Sequence, residues 1–250
     1  MNYHAIVSYD GAKFFGWQRQ PNCLTAQEAF EKALYELDGK EITATASGRT
    51  DAGVHAVGQS VSFAVKRQID ERSLALALNA HLPDGISVIK VKEAPENFNA
   101  RFDAKSREYK YFIWHASTIY PHLRGRVCWL KGSGYDWGKA QEAAKFLLGS
   151  HNFRNFCHFE QTEGRKERNT VRTVLKSRLQ KHGNLLIYNI EADGFLYNMV
   201  RIIVGNLEQV ALGKIAPREI LDLLDSKKTR NNSGKTFPPE GLYFWRAKYE

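Results

Sequence analysis

Gly48-Arg49-Thr50-Asp51-Ala52-Gly53-Val54-His55-Ala56 is the stretch on which the reading of this chain turns. Two glycines bracket an acid next to an arginine, and glycine permits backbone geometries and close approaches that a side chain blocks. Such a loop can present Asp51 to a ligand. Taken by itself such a loop is more often a turn in which Asp51 bonds neighbouring backbone, because short acids favour that conformation. His55, four residues after Asp51, invites a hydrolase or metal reading. No serine nucleophile motif and no third ligand accompany it, so a structural histidine is preferred.

Outward from this loop, strand and helix patterns alternate. Tyr3 to Asp10 alternates as a strand, and Gly11 opens a loop carrying Phe14, Phe15, Trp17, Gln18, Arg19 and Gln20. Thr25 and Glu28 have capping-box spacing ahead of a helix with Ala26, Phe30, Ala33, Leu34 and Leu37 on one face, stopped by Gly39. Strands are expected over Ile42 to Ala46, Val57 to Val65 and Ile86 to Val91, with a helix from Glu71 to His81. Later, Arg107 to Trp114 places Arg107, Tyr109, Tyr111 and Ile113 on one side of a strand. Asp136 offers an N-cap for a helix to about Leu148. Val171 to Gln180 and Leu185 to Ala192 read as a hairpin, with Arg172, Lys176 and Arg178 on one face of its first strand. A helix is expected from Phe195 to about Leu212, and a closing strand over Gly241 to Tyr249. The pattern changes near Asn97 to Lys105. An α+β protein follows, with a central antiparallel sheet flanked by helices and two similar halves, 1–104 and 105–250, around a central cleft.

The 250 residues suffice for a substantial core, and 43% hydrophobic with 25% charged residues is an ordinary globular balance. Thirty-six Lys and Arg against 27 Asp and Glu give a formal charge of +9, which suits a polyanionic partner. Cys23, Cys128 and Cys157 are widely spaced and odd in number, which argues against a disulfide framework. Cys157-His158 lacks further ligands at metal-binding spacing, so no metal is expected. No run of about 18 apolar residues occurs, and Met1 leads directly into a strand pattern, so no membrane association and a cytoplasmic location are expected.

The Gly48 to Ala56 loop resembles the signature of the TruA family of pseudouridine synthases. The resemblance extends to Tyr9-Asp10-Gly11 with Gly16-Trp17-Gln18, and to Asn99-Ala100-Arg101-Phe102 with Arg107-Glu108-Tyr109-Lys110-Tyr111. It continues through Gly194-Phe195-Leu196, Met199-Val200-Arg201, Val204-Gly205 and Pro239-Glu240-Gly241-Leu242, in the family's order. Asn152 departs from it, standing where the family usually shows an acid.

What the resemblance implies is a pseudouridine synthase fold with a basic active-site cleft, and conversion of uridine to pseudouridine in tRNA. The implied sites are positions 38, 39 and/or 40 of the anticodon stem-loop. It makes Asp51 the catalytic carboxylate, which adds to the base, attacks the sugar or removes a sugar proton. Tyr109 stacks on the target uracil, where an isolated strand tyrosine would more often be packing surface. Arg201 is the basic partner that keeps Asp51 ionised, and Leu242 packs near the uracil. Arg49 contacts phosphate of a flipped-out nucleotide. No cofactor is implied, since the reaction is an isomerisation, and a homodimer is implied by analogy. Two rival readings are a related synthase acting at another RNA position and a non-catalytic RNA-binding protein of the same fold.

Overall fold

The computed structural model describes residues 1–66, 68–158, 169–225 and 235–250. The charged and polar stretches Glu160 to Asn169 and Ser226 to Thr236, whose composition predicts loops, fall largely outside them. The elements run β1 (Asn2–Tyr9), α1 (Ala26–Asp38), β2 (Thr45–Ala46), β3 (His55–Ala64), α2 (Glu71–His81), β4 (Ile86–Ala94) and β5 (Ser106–His115). They continue with β6 (Cys128–Leu130), α3 (Trp137–Lys145), β7 (Gly149–Asn152), β8 (Val171–His182), β9 (Leu185–Ala192), α4 (Met199–Ala211), α5 (Glu219–Leu224) and β10 (Leu242–Lys248). The chain forms two compact units, Met1–Arg107 with Tyr243–Glu250, and Glu108–Leu242.

In the first unit the strand order is β4-β1-β3-β10, with β2 also on β3. β1 is antiparallel to both β3 and β4. β10 instead runs parallel to β3, pairing Tyr243 with His55 and Phe244 with Ala56. A parallel partner needs a long crossover, and the whole second unit supplies it. This is why residues 243–250 group with the first unit, whereas a division at 104/105 assigns them to the second half. Helix ends follow the local chemistry. Thr25 accepts from the Glu28 N–H at 3.3 Å, Gly39 closes α1 at φ 68°, and Asp70 accepts from the Ser73 N–H at 3.1 Å. The strand expected over Ile42 to Ala46 is only two residues long. Glu31 takes the Ala44 N–H at 3.0 Å and Gln27 donates to the Ala44 carbonyl at 3.2 Å, so helix side chains satisfy backbone that a ladder would have used.

The second unit has strand order β5-β9-β8-β7, with β6 parallel to β5. The fold is thus α+β with helices flanking sheet, as expected, but the sheet is mixed rather than antiparallel. α3 is capped by Asp136, which accepts from the Gly138 and Lys139 N–H groups at 3.0 and 3.2 Å. α4 begins at Met199, later than the apolar pattern suggests, because Asn198 takes a left-handed conformation at φ 60°.

The basic face expected on β8 does not form as a row of three. Val174 pairs with Ala192 and Lys176 with Glu191, so two β8 residues separate partners that are adjacent on β9. This bulge reverses the alternation. Arg172 falls on the face of the buried Val174, Ser177 and Leu179, while Lys176 and Arg178 point the other way. Arg172 donates to the Asn169 and Val171 carbonyls at 3.0 and 2.6 Å, and Lys176 lies 3.7 Å from the buried Glu108.

Candidate active site

The Asp51 loop is mounted on the segment that follows β1. The Trp17 N–H donates to the Thr50 carbonyl at 3.1 Å, the Gly53 N–H to Phe14 at 3.4 Å, and the Val54 N–H to the Asp51 carbonyl at 3.1 Å. Backbone lies against backbone here. A β-carbon at Gly16, itself at φ 82°, would stand 2.5 Å from the Thr50 carbonyl oxygen, and one at Gly11 would overlap the Val54 carbonyl group. These close approaches explain why glycine is needed at both positions.

Buried polar groups complete the mount. The hydroxyls of Tyr9 and Thr50 are hydrogen-bonded at 2.8 Å. Burial pushes the Tyr9 phenol up to about 12, against the opposing pull of the Thr50 bond, so it stays protonated at neutral pH. Gln59, fully buried on β3, donates to the Gly48 carbonyl at 2.8 Å and accepts from the Ser47 hydroxyl at 2.8 Å. Arg107 spans three carbonyls, those of Ser47 at 3.1 Å, Ala104 at 2.9 Å and Arg101. The loop entrance is thereby tied to the turn after Asn99. Residues 50 and 54 are buried, Asp51 is half-buried, and Arg49 is exposed at the rim.

His55 is structural in this arrangement. Its Nδ1 accepts from the Gly11 N–H at 3.0 Å, a bond that requires an unprotonated nitrogen, and its ring stacks on Tyr243 with centroids 4.5 Å apart. Asp10 Oδ1 lies 3.3 Å from the same nitrogen. That contact is an ion pair only if Nδ1 carries a proton, and the better-placed Gly11 bond favours the acceptor form. Among the described residues no group of three or more His, Cys, Asp or Glu could hold a metal ion, and no helix is long and apolar enough to cross a membrane. Cys157 donates to the Arg154 carbonyl at 3.2 Å, and His158 shares a 2.8 Å hydrogen bond with Thr236.

Tyr109, Arg201 and Leu242 belong to the second unit, where the segment 235–242 runs past Phe237, the hydrogen-bond partner of Arg201, to Leu242. Arg201 Nε donates to the Phe237 carbonyl at 2.6 Å and Nη1 to Asn198 Oδ1 at 2.8 Å. The Phe237 N–H returns a bond to the Arg201 carbonyl at 3.2 Å. The Tyr111 hydroxyl donates to the Pro238 carbonyl at 2.7 Å, and burial holds its phenol well above the usual range. The turn Pro239–Gly241 then delivers Leu242, 6% exposed, to the start of β10. Tyr109, two residues before Tyr111 on β5, is 7% exposed and meets Phe195 edge-on at 4.9 Å.

The side of α4 that carries Arg201, Gly205 and Glu208 lies opposite its apolar stripe, where helix periodicity predicts solvent, yet it is covered. Gly205, Asn206 and Glu208 are buried, and Glu208 is 3.8 Å from Lys235. Asn152, the departure noted in the sequence, accepts from the Arg154 N–H at 3.0 Å and from the Thr170 hydroxyl at 2.7 Å. An amide oxygen fills that acceptor role as an acid would.

A tRNA pseudouridine synthase family model matches residues 5–103 and 143–250, most of the chain, including the Asp51 loop, Arg201 and Leu242, while the Arg107 to Tyr111 block falls between the two matched ranges. The chain belongs to the tRNA pseudouridine synthase family. Relatives named tRNA pseudouridine synthase A agree with the assignment. The chain is 40% identical to that of Thermoanaerobacter sp. (strain X514), covering 99% of each. It is 42% identical to that of Oceanobacillus iheyensis over 98% of this chain and 95% of the relative. The Methylacidiphilum infernorum protein is 40% identical over 100% and 96%. Among solved structures, a chain of a Cbf5-Nop10-Gar1 complex is similar at 13% identity and a TM-score of 0.43, covering 97% of this chain. This chain spans about half of that one (48%). In this family member, the structure accounts for Gly11, Gly16, Tyr9 and Gln59 as supports of the Asp51 loop. The sequence marks Gly11 and Tyr9 by a loop and a strand pattern and Gly16 by a matching block, whereas Gln59 looks like any strand glutamine until its two loop partners are seen.

Proposed function

We propose that this chain isomerises uridine to pseudouridine at positions 38, 39 and/or 40 of the tRNA anticodon stem-loop, with Asp51 as its catalytic carboxylate. The observation that carries the reading is the half-buried Asp51 on a loop fixed by backbone bonds and the buried Tyr9–Thr50 pair, in a chain matched by the family along most of its length. The reaction breaks the bond from the uracil nitrogen to the ribose, turns the base and joins ribose to carbon. The proton lost from that carbon is balanced by one gained at nitrogen. No electrons or groups are transferred in or out, so the carboxylate chemistry requires no cofactor.

The remaining roles follow the family pattern. Tyr109 stacks on the uracil, Leu242 packs beside it, Arg201 favours the ionised form of Asp51, and the exposed Arg49 contacts phosphate of the flipped-out nucleotide. Arg201 suits a fixed positive charge, because Phe237 and Asn198 hold its guanidinium in place. A cytoplasmic homodimer, with one tRNA read by shape across both subunits, completes the proposal.

Incubating the purified protein with unmodified tRNA, then mapping pseudouridine by position, tests it. Product at 38 to 40 is expected. Product at other positions overturns the site assignment, and tRNA binding with no product points to a non-catalytic protein of this fold.

Tyr109 separates aromatic contact from hydroxyl chemistry. If its hydroxyl assists proton transfer at the base carbon, Tyr109→Phe is expected to bind tRNA almost normally and turn over about a hundredfold more slowly, the lower end of what a positioned proton-transfer group contributes. Tyr109→Ala also loses stacking worth about 1–3 kcal/mol. Single-turnover rates and binding constants for both variants check this, and a Phe variant as fast as the parent leaves Tyr109 as a platform only.

A further inference from the structure

Between Glu108 and Asp136 the sequence contains Lys110, Arg124, Arg126 and Lys131 and not one acid. Most of this stretch is the connector from β5 through β6 to α3, which lies in the 104–142 gap of the family match. Two indoles staple it down. Trp114 donates its ring N–H to the Thr118 carbonyl at 2.9 Å, and Trp129 donates to Ala116 at 2.9 Å. With their polar edges satisfied, these rings present their faces to other groups.

Those faces gather cations. Lys131 Nζ stands 4.1 Å from the Trp129 ring centre and the Arg124 guanidinium 5.7 Å from it. Both side chains are exposed, so one half-buried ring holds two positive charges close together at the surface. Their mutual repulsion favours an anion nearby. Tyr120, 59% exposed, lies beside Trp114 at 5.6 Å and stacks on His122 at 5.6 Å, which leaves aromatic surface next to the charges. The β8–β9 turn adds Lys181 and His182, both exposed, and is joined to β5 by the 2.8 Å bond from the His115 N–H to the Asn184 carbonyl.

We propose that this connector is an RNA contact site separate from the Asp51 loop, in which Arg124 and Lys131 bind backbone phosphates and Tyr120 stacks on an unpaired base. The proposal rests on the reading of the chain as a tRNA-modifying enzyme and adds a surface to it. Aromatic faces interleaved with cations are what single-stranded or loop RNA requires. A protein partner of matching charge, or a second copy of the chain, would use the same surface without the base.

The test is tRNA affinity as a function of salt for the full-length protein and its variants. Arg124→Gln with Lys131→Gln is expected to weaken unmodified tRNA about tenfold. It should also reduce the slope of log affinity against log salt by about 1.4–1.8, because each phosphate contact contributes about 0.7–0.9. The rate at saturating tRNA stays within about twofold of the parent. Exchanging the cations, Arg124→Lys with Lys131→Arg, keeps both charges and is expected to keep the slope. Tyr120→Ala is expected to weaken binding about fivefold or more with the slope unchanged. An unchanged affinity and slope in the double Gln variant overturns the proposal, and so does loss of self-association at unchanged RNA affinity. Binding is read without turnover, so a parent protein that binds tRNA but makes no pseudouridine refutes the catalytic reading alone.

Discussion

Asp51→Asn yields a folded protein that binds tRNA and forms pseudouridine at least about 1,000-fold more slowly than the parent, a rise of about 4 kcal/mol in the barrier at 1.36 kcal/mol per tenfold. The size of the effect follows from what is removed. Asparagine keeps the volume of the side chain and loses the only anionic group the proposed chemistry uses. The substitution leaves in place the backbone bonds of Thr50, Asp51, Gly53 and Val54 and the Tyr9–Thr50 hydroxyl pair, which help to shape the loop. Single-turnover assays with a binding measurement on the same preparation check both halves. A variant that retains more than about a hundredth of the parent rate takes Asp51 out of the catalytic role.

Gly205→Ala is the second large effect, and here two magnitudes compete. In an isolated helix interior alanine is about 1 kcal/mol better than glycine. At this position, however, the added β-carbon would land on the Lys235 carbonyl oxygen. That atom is backbone, in a segment pinned by the Arg201–Phe237 bonds and the Tyr111–Pro238 bond, so it cannot swing aside as a side-chain end would. Overpacking of this kind costs about 1–3 kcal/mol and more where backbone must move. The clash therefore wins, and net destabilisation is expected, with a fall in Tm of about 2–4 °C for each kcal/mol. Activity falls further than stability alone accounts for, because displacing 235–238 removes an anchor of Arg201 and shifts the approach to Leu242. Thermal unfolding together with turnover below the transition checks this. A stabilised Gly205→Ala protein would falsify the packing of that segment on α4.

The features legible in the amino-acid order are local ones. Thr25, Asp136 and Gly39 mark helix ends because a side-chain acceptor or a left-handed residue satisfies the helix terminus wherever it is placed. The α2 range, Glu71–His81, and the β8–β9 hairpin around Gly183 are legible from apolar patterning and turn residues within the segments themselves. The Asp51 block stands out through its agreement with a known family and not through local physics, which favours a plain turn. Tertiary structure decided everything that depended on a distant partner. The parallel seat of β10, the one-residue bulge that splits Arg172 from Lys176 and Arg178, and the burial of the polar side of α4 all depend on chain far away in sequence. The same holds for Gln59, whose amide acquires its meaning only where β3 passes Ser47 and Gly48. A periodicity records which residues share a face, but it does not record what comes to lie against that face. At Gly205 the missing side chain makes room for backbone thirty residues on, which the spacing of apolar residues along α4 does not contain.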